Sequence, residues 1–336
     1  MSSTSHMKTH NSNVCPDWLL RQLTEDWEHD GGQLRSGNRT VPIIGGIPRF
    51  VADESYSRGN FSKLRDEFPK LQLDNVAGGK LRMDTILDRT RWDPSVFQDK
   101  LVLECGCGAG PDTQILRHLG SRVIAADLAG VDTARANLAG DEGAAFLQAS
   151  IVDLPFKKAS FDIVFCHRVL QHTPNPDETL QHILQFVKPD GLVFVHSYAR
   201  TIQQMMHWKY VLRPITTRMD PDRLLKCLRW TTPPLLGLST ALRKAPPEQY
   251  LGKLLMLLSQ NIIPVYNRRF ARGYGHMDSE TLKEHAIHDT FDALSPKHDH
   301  PMSAKRMREI ASTCLNQPFE IEERGGITLL RSKVQS

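Results

Sequence analysis

Leu101-Val-Leu-Glu-Cys-Gly-Cys-Gly-Ala-Gly-Pro-Asp112 decides how this chain is read. Residues 101–103 are a short apolar run, of the kind a strand buried on both faces shows. Glycines follow at 106, 108 and 110, and Pro111 then stands at the first turn of a predicted helix, where its fixed φ is tolerated. A strand, a glycine loop and a helix in that order form a ligand-binding turn. The loop alone is a weak signal, because nucleotide-binding domains of several kinds use one. A dinucleotide fingerprint wants its third glycine at 111, which is proline here. Glu104 stands just before the loop, where a carboxylate sits badly beside a pyrophosphate and suits a ligand carrying positive charge.

Outward from the loop the rhythm is regular. Strand patterns at 121–127, 145–148, 161–166 and 192–196 alternate with helical patterns at 131–138 and 177–187, and Lys188-Pro-Asp-Gly191 reads as a turn. Such alternation predicts right-handed β-α-β units and a doubly wound, mostly parallel α/β sheet. After Tyr198 the alternation stops for about a hundred residues and resumes with a helix at 303–315 and strands at 319–323 and 327–331. Gly325-Gly326 between those strands predicts an antiparallel C-terminal hairpin. The expected organisation is a disordered tail (1–14), a small appendage (15–56) and N-terminal helices leading into the core (57–198). A basic helical lid (199–302) and the helix and strands that complete the core (303–336) follow.

The composition agrees with an enzyme-sized globular protein. The 336 residues have room for about two domains. A charged fraction of 24% against 40% hydrophobic excludes a wholly disordered chain. A net charge of +4 is too mild to argue for a nucleic-acid binder. No apolar run approaches the roughly 20 residues of a membrane span, and no apolar signal core follows the polar first ten residues. Six cysteines in this length do not make a secreted disulfide framework, so the expected location is the reducing cytoplasm.

The stretch 101–198 resembles a class I S-adenosylmethionine-dependent methyltransferase of the small-molecule type. The matching pieces are Val102-Leu-Glu-Cys-Gly-Cys-Gly-Ala-Gly110, Ala126-Asp127-Leu128, Leu154-Pro-Phe156, Phe161-Asp-Ile-Val164, Val169-Leu-Gln-His-Thr-Pro174 and Val187-Lys-Pro-Asp-Gly191. Six motifs in the right order are far more specific than any one of them. The resemblance implies S-adenosylmethionine as cofactor, S-adenosylhomocysteine as product, and no metal. It implies that Glu104, Cys105 and Gly106 hold the methionine end, with Gly108 and Gly110 shaping the loop, Asp127 on the ribose and Leu128 against the adenine. In the family an acid two residues past the Gln148 position often meets the adenine amine. Here that position is Ser150, so Ser150 and the Ile151 backbone, or Asp153, would take its place. Residues 41–50, with Cys15-Pro16 upstream, resemble a degenerate zinc-ribbon-like segment, and a single cysteine there predicts no zinc.

Methyl transfer to a hydroxyl is helped by a base near neutral pKa, and histidine is the natural one. His167, His172 and His196 lie at strand ends facing the expected site, with Tyr198 beside them; His172 is the first choice and His167 also borders the cofactor. The alternative for each is a hydrogen-bonded scaffold role. His298, Asp299 and His300 are adjacent in the chain and seldom converge on one ion; the resemblance implies that the 289–301 segment is a lid or pocket wall over the acceptor.

Residues 199–275 hold 13 Lys or Arg against 3 Asp or Glu, a local balance of 13 − 3 = +10. Leu251, Leu254, Leu255 and Leu258 keep the spacing of an amphipathic helix. Its apolar stripe packs on the core while the basic face meets solvent, or the apolar face holds the hydrocarbon part of an acceptor whose anionic part the basic residues receive, or the insertion rests on an anionic membrane. Nucleic acid is a weaker partner, since no recognisable module is present; an RNA methyltransferase and a degenerate fold acting as an interaction module remain the alternatives. The sequence is silent on oligomeric state.

Overall fold

The computed structural model of the chain describes residues 14–51, 60–77, 79–244, 250–271 and 273–334. The segments expected to be a tail and the end of the appendage, 1–13 and 52–56, lie outside the described residues. A helical turn, α1 (Asp17–Leu20), leads into an antiparallel sheet of β1 (Glu28–Asp30), β2 (Gln33–Ser36), β3 (Arg39–Ile44) and β4 (Ile47–Pro48). Val41 and Ile43 alternate inward along β3 as the period of two requires. This small sheet shares its core with the larger one: Leu19, Leu23 and Leu34 pack in the same cluster as Leu103 and Ile124. Arg49 ties it down with an ion pair of 2.5 Å to Asp132, and the Phe50 amide donates to the Gln148 carbonyl at 2.8 Å.

Three helices precede the main sheet: α2 (Asn60–Glu67), α3 (Asp74–Ala77) and α4 (Leu81–Thr90). Asp74 starts α4 by accepting from the amides of Arg82 and Met83 at 2.7 and 3.0 Å. Arg82, Ile86 and Thr90, four apart, form the buried face of α4.

The main sheet has the order β10-β11-β9-β8-β5-β6-β7. Its parallel strands are β5 (Leu101–Cys105), β6 (Arg122–Asp127), β7 (Ala144–Gln148), β8 (Phe161–Cys166) and β9 (Val187–Tyr198), and β10 (Phe319–Arg324) and β11 (Ile327–Ser332) add the antiparallel hairpin. Helices α5 (Pro111–His118), α6 (Val131–Asn137) and α7 (Pro176–Leu184) follow β5, β6 and β8. Chain order reverses between β5 and β8, a switch point where open α/β sheets bind ligands at the carboxyl ends of their strands. Asp162 anchors the opposite end, accepting from the Leu101 amide and Lys188 Nζ at 2.8 and 2.7 Å. Lys188-Pro-Asp-Gly191, expected as a free turn, is instead carried within β9 beside an irregularity in its register with β8. Helix α7 accordingly stops at Leu184, short of the expected 187.

Between β9 and the hairpin come α8 (Ile202–Met205), α9 (Trp208–Thr216), α10 (Pro221–Leu242), α11 (Tyr250–Asn261) and α12 (Ser279–Leu294), then α13 (Ala304–Cys314). Leu224, Leu225 and Leu228 of α10 pack with Ile287 and Phe291 of α12 and Leu64 of α2. The expected leucine stripe of α11 is split. Leu251 and Leu254 are exposed, as is Leu257, and Leu255 and Leu258 are half-buried, while Gly252 and Ser259, seven residues apart, are buried. The reason is close approach: Ser259 Oγ lies 2.8 Å from Ser239 Oγ of α10, a contact that only small side chains permit. No helix among the described residues is long and apolar enough to cross a membrane.

Candidate active site

The glycine loop is shaped by tight packing. Gly106 has φ +87°, and a Cβ there would lie 2.4 Å from Val169 Cγ2, so only glycine fits. Its amide donates to the Ala126 carbonyl at 2.7 Å, which joins the loop to β6. Asp127 closes the arrangement. Its Oδ2 accepts from the Gly108 amide at 2.9 Å and its Oδ1 from Ala129 and Gly130 at 2.9 and 3.2 Å. Gly130 is a loop residue that sequence reasoning missed: a Cβ there would sit 2.2 Å from the Gly108 carbonyl oxygen.

Glu104 is buried, and its carboxylate accepts from Thr113 Oγ1 at 2.6 Å. Burial first, and Asp112 second, push its carboxyl well above the usual range. The side chain thus faces the sheet–helix interface and not the cleft, so any contact with a cationic ligand falls to the backbone beside it. Cys105 and Cys107 are buried thiols whose pKa values burial raises well above 9.0, which makes them inert.

A cleft of about 460 Å³ opens over the carboxyl ends of the strands. Gly106, Gly108, His167, Arg168, His196 and Tyr198 line it from the sheet side. Arg65, Arg82 and Arg89 come from α2 and α4, and Lys209, Tyr266 and Arg268 from the insertion. Asp127, Leu128, Ser150 and Ile151 lie outside its lining, at the ends of β6 and β7. Leu128 is half-buried with its carbonyl accepting from Gln148 Nε2 at 2.9 Å, and Ser150 Oγ accepts weakly from the Val152 amide at 3.4 Å. Asp153 is exposed.

The four expected catalytic residues separate into distinct situations. His167 Nδ1 donates to Asp112 Oδ2 at 2.9 Å, which leaves Nε2 to accept from Arg89 Nη1 at 2.6 Å. Both nitrogens are engaged, and burial holds the ring neutral with its pKa down to about 3. His196 is fully buried along the same wall, its ring 5.2 Å from that of His167. Its Nδ1 has no hydrogen-bond partner among the described residues, and burial lowers its pKa well below 6.5. Tyr198 lies under Lys209, whose Nζ is 4.4 Å from the ring centroid, and burial raises the phenol well above 10.0. His172 stays off the cleft: Nδ1 meets the His298 carbonyl at 3.1 Å, and the ring packs edge-on to Tyr198.

The arginines are the larger omission of the sequence reading. Arg82 pairs with Asp112 at 2.6 Å and Arg268 with Asp289 at 2.6 Å. Lys209 pairs with Asp299 at 2.7 Å. Asp299 is therefore engaged by a cation, and among the described residues no three His, Cys, Asp or Glu side chains are grouped to hold a metal ion. The +10 balance of residues 199–275 pointed to the insertion, but Arg82, Arg89 and Arg168 come from elsewhere in the chain and carried no local signal.

Comparison with known proteins agrees with this geometry. Residues 103–195 match a family described as a methyltransferase domain. The chain is 31% identical over 100 residues to a demethylmenaquinone methyltransferase of Clavibacter sepedonicus, covering 29% of this chain and 41% of that protein. It is 29% identical over 160 residues to a ubiquinone biosynthesis O-methyltransferase of Yersinia enterocolitica, covering 45% and 63%. A solved magnesium protoporphyrin IX methyltransferase from Synechocystis PCC 6803 superposes with a TM-score of 0.39 at 14% identity, covering 77% and 84%. The chain spans about half the length of the curated relatives it matches. The family match makes residues 103–195 a methyltransferase domain, and the strand order and glycine loop are those expected of the class I S-adenosylmethionine-dependent kind.

Proposed function

We propose that this protein transfers a methyl group from S-adenosylmethionine to a small-molecule acceptor with apolar and anionic character. The observation that carries the reading is one cleft lined both by the glycine loop and by cationic side chains. The cofactor fits the residues present. Gly106 leaves a cradle that a Cβ would fill, and Asp127 holds its carboxylate at the end of β6. The backbone of Glu104 to Gly106 would receive the methionine end, Asp127 the ribose, and Leu128, Ser150 and Ile151 the adenine. Bound there, S-adenosylmethionine supplies a methyl already activated on a sulfonium.

The chain's own task is then alignment and exclusion of water, and good alignment can supply roughly 7–11 kcal/mol. Phe68 and Tyr266 offer apolar walls to an acceptor and the arginines hold its anionic part. Where the acceptor is a hydroxyl, the neutral His196 ring can receive a hydrogen bond from it at Nδ1, which has no partner among the described residues; burial holds its pKa well below 6.5, so it orients the hydroxyl and is a weak base. His167 orients Arg89 instead. Calorimetric titration with S-adenosylhomocysteine tests the reading: binding by the wild type, weakened at least tenfold in Asp127→Ala, supports it. A folded wild type that shows no binding overturns it. His196→Asn is expected to lower turnover while leaving that affinity intact.

The outward leucines favour a second reading of where the acceptor comes from. Leu251, Leu254 and Leu257 of α11 and Trp230 of α10 are exposed in a segment of local balance +10, which suits an anionic membrane that stores a lipid-soluble acceptor. Co-sedimentation with acidic-lipid vesicles at low and moderate salt tests it, and no binding at low salt removes it.

A further inference from the structure

Next to the cleft lies a second, smaller chamber of about 180 Å³, and the two share Arg82, Arg89, Arg168 and Arg268. Four guanidinium groups around one small space repel one another unless carboxylates or a ligand neutralise them. The carboxylates account for only part. Asp112 pairs with Arg82 and Asp289 with Arg268. Asp74, on the chamber wall, turns its two oxygens to the amides of Arg82 and Met83.

That leaves two cations. Arg89 meets a neutral histidine, His167, and no carboxylate. Its pKa falls to about 9, first through burial and then through Arg168 and Arg82. Arg168 makes no hydrogen bond or ion pair among the described residues and is held at φ +65°, in the left-handed region that a non-glycine residue rarely adopts. Backbone outliers of this kind persist where the surrounding structure over-determines them, often at ligand clamps.

We propose that this chamber is a subsite for a doubly charged phosphoryl group of the acceptor, held by Arg89 and Arg168 with Arg82 and Arg268 flanking it. Assigning the group to the acceptor rests on the methyltransferase reading; the anion site itself does not. Two unneutralised guanidinium groups match a dianion, and their planar forks present paired N–H donors to phosphate oxygens. The apolar remainder of such an acceptor extends into the cleft toward Phe68 and Tyr266, which line it together with the glycine loop.

Inorganic phosphate is the probe, titrated calorimetrically into the full chain in low-salt buffer, with and without saturating S-adenosylhomocysteine. The expected result is phosphate binding that persists beside S-adenosylhomocysteine, weakens at least tenfold in Arg168→Gln and in Arg89→Gln, and is partly kept by Arg168→Lys. Arg168→Lys retains the charge and, checked by circular dichroism, guards against a folding artefact. Absence of phosphate binding while S-adenosylhomocysteine still binds overturns the subsite and leaves the methyltransferase reading standing. Mutually exclusive binding also overturns it, because the arginines then hold the cofactor's carboxylate. Phosphate binding without S-adenosylhomocysteine binding supports the anion site and removes the methyltransferase reading.

Discussion

His167 and Asp112 are joined at 2.9 Å with both side chains buried, and the pair is the hinge of the cationic wall. Asp112 also holds Arg82, while the other face of His167 receives Arg89. The Arg82 charge and the hydrogen bond from His167 hold the Asp112 carboxyl far below the usual carboxylate range despite its burial. A histidine locked on both nitrogens positions its neighbours; it does not shuttle protons.

Removing one partner of this buried network leaves a cation without its carboxylate. Asp112→Asn is expected to lose about 3–5 kcal/mol of stability, read from urea unfolding midpoints. A loss below about 1 kcal/mol would mean that Arg82 finds another partner.

Glycine positions separate into those that need no side chain and those that tolerate one. Gly106→Ala drives a methyl into Val169 at a positive φ and is expected to abolish S-adenosylhomocysteine binding or folding. Gly237→Ala, inside α10 with nothing within 4 Å of its added Cβ, is expected to stabilise by about 0.4–1 kcal/mol. Thermal melts of the two variants side by side check the contrast.

Acid sensitivity follows from the buried histidines. His167 and His285 are pulled down to about 3 and about 4 by burial, so below pH 6.5 the unfolded chain binds protons that the folded chain refuses. Stability is expected to be full above pH 6.5 and to fall as pH drops, by about 1.4 kcal/mol per such histidine for each unit. His285→Asn should flatten the melting temperature between pH 7.5 and 5.5; an unchanged slope would sink the assignment.

Glu104 gives the opposite slope. Its carboxyl is raised, so between about 4.5 and that raised value the folded chain holds a proton the unfolded chain has released, and stability falls as pH rises. Glu104→Gln, isosteric with the neutral form, is expected to be at least as stable as the wild type at pH 8, by chemical denaturation.

The two sides of the insertion should respond differently to substitution. Leu254, 40% exposed, is expected to accept lysine within about 0.5 kcal/mol. Phe291→Ala, in the α10–α12 core, is expected to cost about 3–5 kcal/mol. Equal losses would place the leucine stripe inside after all.

By itself the sequence determined the sheet and its ligand-binding loop. Alternating apolar runs and turn residues specify strands and helices locally, and the loop's three glycines need a positive φ that local chemistry announces. The Gly325-Gly326 hairpin was legible for the same reason. Only the tertiary structure decided which face of α11 turns inward, because periodicity shows a stripe and not what packs on it. Ser239 and Ser259 settled that through close approach across 20 residues of chain. Only the fold, likewise, separated His196 from His167 and His172 and gathered Arg82, Arg89, Arg168 and Arg268 around one chamber. Their convergence depends on contacts between distant segments, and charge placed by long-range packing leaves no periodic trace in the chain.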